Sequence, residues 1–73
     1  MNVFPERLKA VRVKQGKTCM DISLDSGLNQ NCVFQWERQR RSPNMRSIVK
    51  VADCLGVSID YLVGRTDNPE INR

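Results

Sequence analysis

The chain has 73 residues, of which 40% are hydrophobic and 5% aromatic, and carries a formal net charge of +4. This length supports one small domain and excludes a two-domain enzyme with a deep substrate cleft. The chain holds no run of 18 apolar residues and no apolar segment at its N-terminus. We therefore expect neither a membrane span nor a secretory signal, and we expect a cytoplasmic protein.

Three cysteines, Cys19, Cys32 and Cys54, are separated by 13 and 22 residues. An odd number of cysteines cannot close a full set of disulfides. Because the chain has no histidine, a four-ligand zinc site would need carboxylates. We expect small buried or half-buried thiols in a reducing compartment, and no metal or cofactor.

The positive charge is concentrated in the first two thirds of the chain. Residues 1–46 contain nine Lys and Arg against four acids, a net +5, whereas residues 47–73 carry a net −1. A basic half on a small domain favours a polyanionic partner. The alternative is a charged surface that serves only solubility, and charge alone does not decide between the two.

Apolar residues recur at helical rather than strand spacing from the start of the chain. Phe4, Leu8 and Val11 step by four and three residues, and Gly16 suits the left-handed residue that ends a helix. The pattern predicts helix one over residues 5–15.

A second helix is predicted over residues 19–25. Thr18 is a good N-cap, and Asp21 completes a capping-box-like pair and suits the positive end of the helix dipole. Ile22 is the clearest core residue of this helix, and Gly27 provides the break that follows.

A third helix is predicted over residues 30–37, with Asn29 as its N-cap. Leu28 before the cap and Val33 at the fourth helical position can form a hydrophobic staple. Val33 and Trp36 are the residues that clearly point inward, so the opposite face of this helix is free for another use.

The most regular apolar stripe in the chain predicts helix four. It steps by three, four and three residues and consists of Met45, Ile48, Ala52 and Leu55. Asn44 caps the start of this helix, and Gly56 ends it.

A last short helix is predicted over residues 59–63, between a Ser58 cap and Gly64. Its apolar residues are Ile59, Leu62 and Val63. The residues that follow lack periodicity, so residues 1–64 are expected to form the domain and residues 65–73 a loose tail.

Helices two and three carry the pattern that points to function. They are short and are separated by four residues around Gly27, which is helix-turn-helix geometry. The outer face of helix three carries amides where solvated helices usually carry Glu and Lys, namely Gln30, Asn31 and Gln35. An amide can pair bidentately with the N6 and N7 edge of adenine in the major groove, so these residues are predicted base contacts to double-stranded DNA. The alternative for each amide is a solvated surface residue.

Phe34 lies among the amides on this outer face, where the core cannot easily use it. Three roles remain open for it: contact with a thymine methyl group, packing against a partner chain, or folding back along the helix edge. We count it with the amides as a candidate base contact.

Residues that flank helices two and three are candidates for phosphate contacts, which set affinity and register rather than sequence preference. Guanidinium groups suit phosphate, and so do the backbone N–H groups of a helix N-terminus. The candidates are Lys17, Thr18, Cys19, Asn29, Arg38, Arg40, Arg41 and Asn44. Arg40 or Arg41 can also enter an adjacent minor groove.

The chain from residue 4 to residue 64 resembles the lambda-repressor-like, Cro/repressor helix-turn-helix domains, also called the XRE family. The matching residues are Phe4, Arg7-Leu8-Lys9, Arg12, Gly16-Lys17-Thr18, Ile22, Gly27, Val33, Trp36-Glu37, Pro43, Ile48, Val51-Ala52 and Leu55-Gly56-Val57-Ser58-Ile59-Asp60-Tyr61-Leu62. The last segment together with the upstream Trp36-Glu37 is the most specific part of the match.

The resemblance implies an all-α, compact five-helix domain whose third helix enters the major groove. It also implies a partly buried ion pair between Arg12 and Glu37. A dimer surface on the last helix and the tail is implied as well. Tyr61, Leu62 and Val63 are its candidates, although one or two of these must face the core.

Three positions differ from the family pattern. Cys19 stands where the family usually contributes a DNA contact, Ser23 where a small Ala is usual, and Gln39 where Gly commonly follows helix three. We therefore expect helix two to bind a phosphate through its backbone N–H groups rather than a base through its first side chain.

No histidine, Gly-rich phosphate loop, paired acids or metal spacing is present, so we do not expect an enzyme. The sequence predicts a bacterial or phage transcriptional regulator that occupies operator DNA. A homodimer on a palindrome is expected, with half-sites about 34 Å apart. Two alternatives stay open: an antitoxin or other regulator whose main partner is a protein, and a structural or RNA-binding helical domain. RNA readers generally need several stacking aromatics, and only Phe34 is available here, which argues against the second alternative.

Overall fold

The computed structural model describes residues 3–70, and within them the chain forms five α-helices and no strand. The helices are α1 (Phe4–Lys14), α2 (Cys19–Asp25), α3 (Cys32–Glu37), α4 (Met45–Leu55) and α5 (Ile59–Leu62). The predicted all-helical, five-helix fold is confirmed. The ends of the predicted domain and tail, residues 1–2 and 71–73, lie outside the described residues.

The five helices pack around one hydrophobic core. It is formed by Phe4, Leu8, Val11, Ile22, Val33, Trp36, Ile48, Val51, Ala52, Leu55 and Leu62. The rings of Phe4 and Trp36 meet edge to face, with centroids 6.0 Å apart. α3 packs against both α1 and α2. Within residues 3–70, no helix has the length and apolar character needed to cross a membrane.

Side-chain caps begin three of the helices, as predicted. The Thr18 hydroxyl accepts the Asp21 N–H at 3.0 Å, and the Asp21 carboxylate accepts the Thr18 N–H at 3.1 Å, which completes a capping box. The Asn44 side-chain oxygen accepts the Ser47 N–H at 2.8 Å, and the Ser58 hydroxyl caps α5. These hydrogen bonds satisfy N–H groups that have no partner inside the helix.

The start of α3 differs from the prediction. Asn29 is not its N-cap, and the Asn29 side-chain oxygen instead accepts the Asn31 N–H at 2.9 Å within the turn that precedes the helix. The helix begins at Cys32 instead, and its N-cap, Asn31, makes no side-chain capping bond. Gln30 and Asn31 therefore lie in the turn that leads into α3 rather than on the helix.

Ser23 supplies the missing cap from the neighbouring helix. Its fully buried hydroxyl accepts the Val33 N–H at 3.1 Å and donates to the Cys19 carbonyl oxygen at 2.9 Å. Val33 is the second residue of α3, so its N–H has no partner within that helix. The residue that departs from the family pattern thus joins α2 to the first turn of α3.

The ion pair between Arg12 and Glu37 is present and two-pronged. Arg12 Nε lies 2.8 Å from one Glu37 carboxylate oxygen, and Arg12 Nη2 lies 3.0 Å from the other. Their side chains are only 16% and 10% exposed. Arg12 also donates to the Lys17 carbonyl oxygen at 3.0 Å, and the Cys19 thiol donates to Glu37 at 3.4 Å. The pair therefore joins α1, the start of α2 and the end of α3.

This environment changes the acidity of two of its members. The hydrogen bond to Glu37 raises the pKa of Arg12. Burial, together with the negative charge of Glu37, raises the pKa of the Cys19 thiol. Cys19 consequently remains a protonated donor to the carboxylate at neutral pH.

The ends of the helices share one hydrogen-bonding pattern. After α3, the Gln39 N–H bonds to the Trp36 carbonyl at 3.0 Å, and the Arg40 N–H bonds to the Gln35 carbonyl at 2.9 Å, which is the Schellman motif. This motif needs a left-handed residue, and the other four helices use Gly16, Gly27, Gly56 and Gly64 for it. Gln39 has a φ of 59° and adopts the same conformation with a side chain attached.

Two other features differ from the prediction. Met45 is exposed rather than part of the core stripe, and Val51 takes a place in the buried set of α4. Met45 is the first residue of α4. Helical side chains lean toward the N-terminus, so the side chain of a first residue extends beyond the end of the packed helix.

The first part of the predicted loose tail is hydrogen-bonded to the domain. Arg7 donates to the carbonyl oxygens of Tyr61 and Thr66 and pairs with Asp67 at 2.7 Å. The Arg7 guanidinium also lies 4.5 Å from the centroid of the Tyr61 ring. The Ser58 N–H donates to the Pro69 carbonyl oxygen at 2.9 Å. The term loose therefore does not fit residues 65–70.

Replacing Ser23 with Ala is expected to destabilise the domain by about 1–3 kcal/mol, because it leaves the Val33 N–H buried without a partner. Ser26→Ala is a matched control, since the buried Ser26 hydroxyl has no hydrogen-bond partner among residues 3–70. The free energies of unfolding of both variants would be measured by urea denaturation. Equal values for the two variants would contradict a role of Ser23 as a cap.

Glu37→Ala is expected to lower the free energy of unfolding by about 3 kcal/mol, since it leaves the Arg12 charge buried and unpaired. Small domains have total stabilities of only about 5 kcal/mol, so this variant should be largely unfolded on warming. Glu6→Ala removes an exposed acid from α1 and serves as the control. A thermal midpoint of Glu37→Ala equal to that of the control would argue against the ion pair as a structural anchor.

Gln39→Gly is expected to stabilise the domain by about 0.5 kcal/mol, because glycine removes the cost of a left-handed side-chain-bearing residue and only part of that gain is lost to unfolded-state entropy. For a domain of this size, the thermal midpoint should rise by about 2–4 °C. Gln39→Ala retains the β-carbon and should produce no such rise. Thermal unfolding followed by circular dichroism distinguishes the two variants.

Candidate nucleic-acid interface

The turn and α3 present the predicted amides on the surface of the domain. Val33 is fully buried and Trp36 is nearly so, which fixes the inner side of the helix. Gln30 and Asn31 are exposed in the turn, and Gln35 is half-buried on the helix. The carboxamides at 30 and 31 thus stay accessible to a partner.

A groove of about 360 Å³ lies between the first turn of α2 and the start of α3. It is lined by Thr18, Cys19, Met20, Gln30, Asn31 and Phe34. The fold therefore places three of the four predicted base contacts beside two of the predicted phosphate contacts. Gln35, the fourth, does not line this groove.

Phe34 is 39% exposed and is covered on one side by a cation. The Arg38 guanidinium lies 5.0 Å from the centroid of its ring. The two residues are four apart on α3 and its C-cap, which is the spacing at which helical side chains meet. Arg38, a predicted phosphate contact, is thus held against a predicted base contact.

Several other predicted phosphate contacts already use their side-chain oxygens inside the domain. Thr18, Asn29 and Asn44 each accept a backbone N–H through that oxygen. The two asparagines keep their amide N–H groups for another acceptor.

The hydrogen bond from the Thr18 N–H lowers the pKa of the Asp21 carboxyl, so an acid remains ionised at this edge of the surface.

Cys19 turns its thiol toward Glu37, and only its backbone is placed to meet an anion. The basic candidates differ in exposure: Arg38, Arg40 and Arg41 are exposed, whereas Lys17 is half-buried. The three arginines follow or end α3 and surround the turn made by Gln39. The surface at the C-terminal end of α3 is accordingly positive.

The predicted dimer surface needs one correction. Leu62 is fully buried and belongs to the core, so it cannot contact a second chain. α5 has only four residues, and Leu62, the last of them, closes the core where α5 packs against α1 and α4. Tyr61 and Val63 are half-buried and pack against the core edge.

Two residues important to this site are absent from the sequence-based candidates. Ser23 positions α3 through a hydrogen bond between helices, which no local pattern signals. Met20 is exposed and lines the groove. Met20 stands two positions before the core residue Ile22, a spacing that places it away from the buried face of α2. A large apolar residue at such a position is the feature of the sequence that could have identified it.

The three cysteines are free and half-buried. Within residues 3–70, no cluster of three or more His, Cys, Asp or Glu side chains is arranged to hold a metal ion.

Comparison with known proteins identifies several relatives. The chain is 31% identical over 62 residues to the HTH-type transcriptional regulator ImmR of Bacillus subtilis (strain 168), covering 85% of this chain and 49% of that protein. It is 35% identical over 60 residues to the cryptic phage CTXphi transcriptional repressor RstR of Vibrio cholerae serotype O1, covering 82% and 54%. The chain spans about half the length of these curated relatives.

The fold is also that of a solved structure, the N-terminal DNA binding domain of SinR from Bacillus subtilis. The TM-score is 0.80 at 22% identity, over 86% of this chain and 93% of that one. A helix-turn-helix family model matches residues 8–62, from α1 to the end of α5. Since that match covers most of the chain, as the sequence resemblance predicted, the protein belongs to the XRE-type helix-turn-helix family.

Proposed function

We propose that the protein binds a specific sequence of double-stranded DNA and represses transcription by occupying an operator. The observation that carries this proposal is the accessible amide edge formed by Gln30 and Asn31, beside a groove, with Val33 and Trp36 anchoring the opposite side of α3. The names of two relatives, a transcriptional regulator and a transcriptional repressor, support the same function.

The base contacts in this proposal come from the turn and the exposed side of α3. Gln30, Asn31, Gln35 and Phe34 reach the base edges in the major groove. A side-chain amide donates its N–H to adenine N7 and accepts from the adenine N6 amino group, and both of these groups lie on the major-groove edge. Gln30 and Asn31 lie in the turn before α3. They are therefore the first to enter the major groove of the DNA, as the residues at the start of a recognition helix are.

The phosphate contacts surround this edge and supply affinity. Arg38, Arg40 and Arg41, at and after the end of α3, neutralise phosphates. Further phosphate contacts come from Lys17, from the N-terminal turn of α2 at Thr18 and Cys19, and from the side-chain amides of Asn29 and Asn44. The net +5 of residues 1–46 favours this arrangement, because each neutralised phosphate releases counterions.

Two copies of the protein on a palindromic operator complete the proposal. One small domain makes few base contacts, so two half-sites about 34 Å apart would raise both affinity and selectivity. Tyr61 and Val63, which keep partial exposure at the edge of α5, are the candidates for the contact between copies.

The function is tested by selection of binding sequences from a random duplex DNA pool with the purified chain. A single enriched motif, in inverted repeat, is the expected outcome, and binding should weaken steeply as salt rises. Recovery of no preferred duplex sequence would overturn the proposal. Recovery of two half-sites would define the stoichiometry, which gel filtration of the complex then measures independently.

On the selected operator, Gln30→Ala and Gln35→Ala should each relax preference at one base pair by about 1–3 kcal/mol. Arg41→Ala should instead weaken all sequences alike and reduce the salt slope by about 1. Arg65→Ala removes an exposed arginine outside the interface and is the charge-matched control. The opposite result would be weaker binding of all sequences by the glutamine variants and an altered base preference in Arg41→Ala. It would show that the base contacts and the phosphate contacts have been assigned the wrong way round.

A further inference from the structure

The groove between α2 and α3 has an apolar lining that the fold itself does not need. Met20 is 49% exposed and Phe34 is 39% exposed, and neither belongs to the buried core. Exposed apolar side chains are also present elsewhere on the domain, but these two line one groove together with the amides of Gln30 and Asn31. Two helices thus place apolar atoms beside hydrogen-bonding groups in a single groove.

None of the six residues that line the groove is charged. A phosphate would therefore find charged partners only at the rim of the groove, at Lys17 and Arg38, and backbone N–H groups at the start of α2. The Cys19 thiol donates to Glu37 at 3.4 Å, so it is engaged within the domain. Met20, the next residue, is 49% exposed and lines the groove, so it is available to contact a partner.

Phe34 lies beside a cation. The Arg38 guanidinium is 5.0 Å from the centroid of its ring and covers one face of that ring. A rigid ring and a flexible thioether form a surface suited to a small apolar group, since methionine adapts to irregular shapes. The apolar group that a base pair offers in the major groove is the 5-methyl of thymine, next to the adenine edge that Gln and Asn recognise.

We infer that Met20 and Phe34 form a binding notch for the 5-methyl group of one thymine, and that Met20 is a specificity-determining residue contributed by α2. This inference rests on the proposed DNA-binding function and adds to it one base position and the chemical group that is recognised. The adjacent amides and the basic rim make duplex DNA the occupant that fits the groove.

The experiment replaces each thymine of the selected operator, one at a time, with deoxyuridine, which lacks only the methyl group. Wild-type protein should bind about fourfold more weakly at one thymine per half-site, the change expected when one methyl group is no longer buried. Binding would be measured by fluorescence anisotropy at constant salt.

The protein variants assign that effect to the notch. In Met20→Ala and in Phe34→Ala, the fourfold difference between thymine and deoxyuridine should largely disappear. Leu24→Ala removes another exposed apolar side chain of α2 that does not line the groove, and it should keep the full difference. Circular dichroism would verify that all three variants are folded.

The outcomes separate this inference from the proposed function. Specific duplex binding with no deoxyuridine penalty, or with a penalty that persists in both notch variants, overturns the notch and leaves the proposed function standing. Stronger binding on methylation of a cytosine, without any thymine effect, would overturn the thymine assignment. Failure to bind any duplex overturns both.

Discussion

The paired charges of Arg12 and Glu37 are the constraint on which the arrangement of the first three helices depends. Glu37 is the last residue of α3, and Arg12 lies in the last turn of α1. The same two side chains also bond to Lys17 and Cys19, on both sides of the start of α2. Because both charges are shielded from water, the pair has one satisfactory geometry, and that geometry sets where α3 emerges on the surface.

Ser23 completes this constraint at the opposite end of α3. With Glu37 fixed at the C-terminus and the Val33 N–H bonded to Ser23 near the N-terminus, a helix of six residues is held at both ends. The inner side is occupied by Val33 and Trp36. The remaining polar surface, which includes Gln30 and Asn31 before the helix, does not take part in packing and is available to a partner.

Features that depend on neighbours in the chain were predictable from the sequence. The capping box of Thr18 is formed by residues three apart, so its pattern can be read directly. Features that depend on contacts between distant segments were not. Asn29 has the right residue type for a cap, but Ser23 of another helix takes that function, and the helix begins three residues beyond Asn29. The attachment of residues 65–70 to the domain depends on the bond between Arg7 and Asp67. These two residues are sixty positions apart, so no local pattern indicates their contact.

The shortness of α3 has a consequence for genetics. An isolated helix of six residues does not form in water, so the order of α3 derives from the interior that it packs against and from the polar bonds at its two ends. Loss-of-function alleles collected at random should therefore map mainly to the interior of the domain and to its few inter-helix polar bonds, rather than to the surface that meets a partner. A phenotype alone would not distinguish the two classes, and abundance of the variant protein in the cell would have to be compared alongside it.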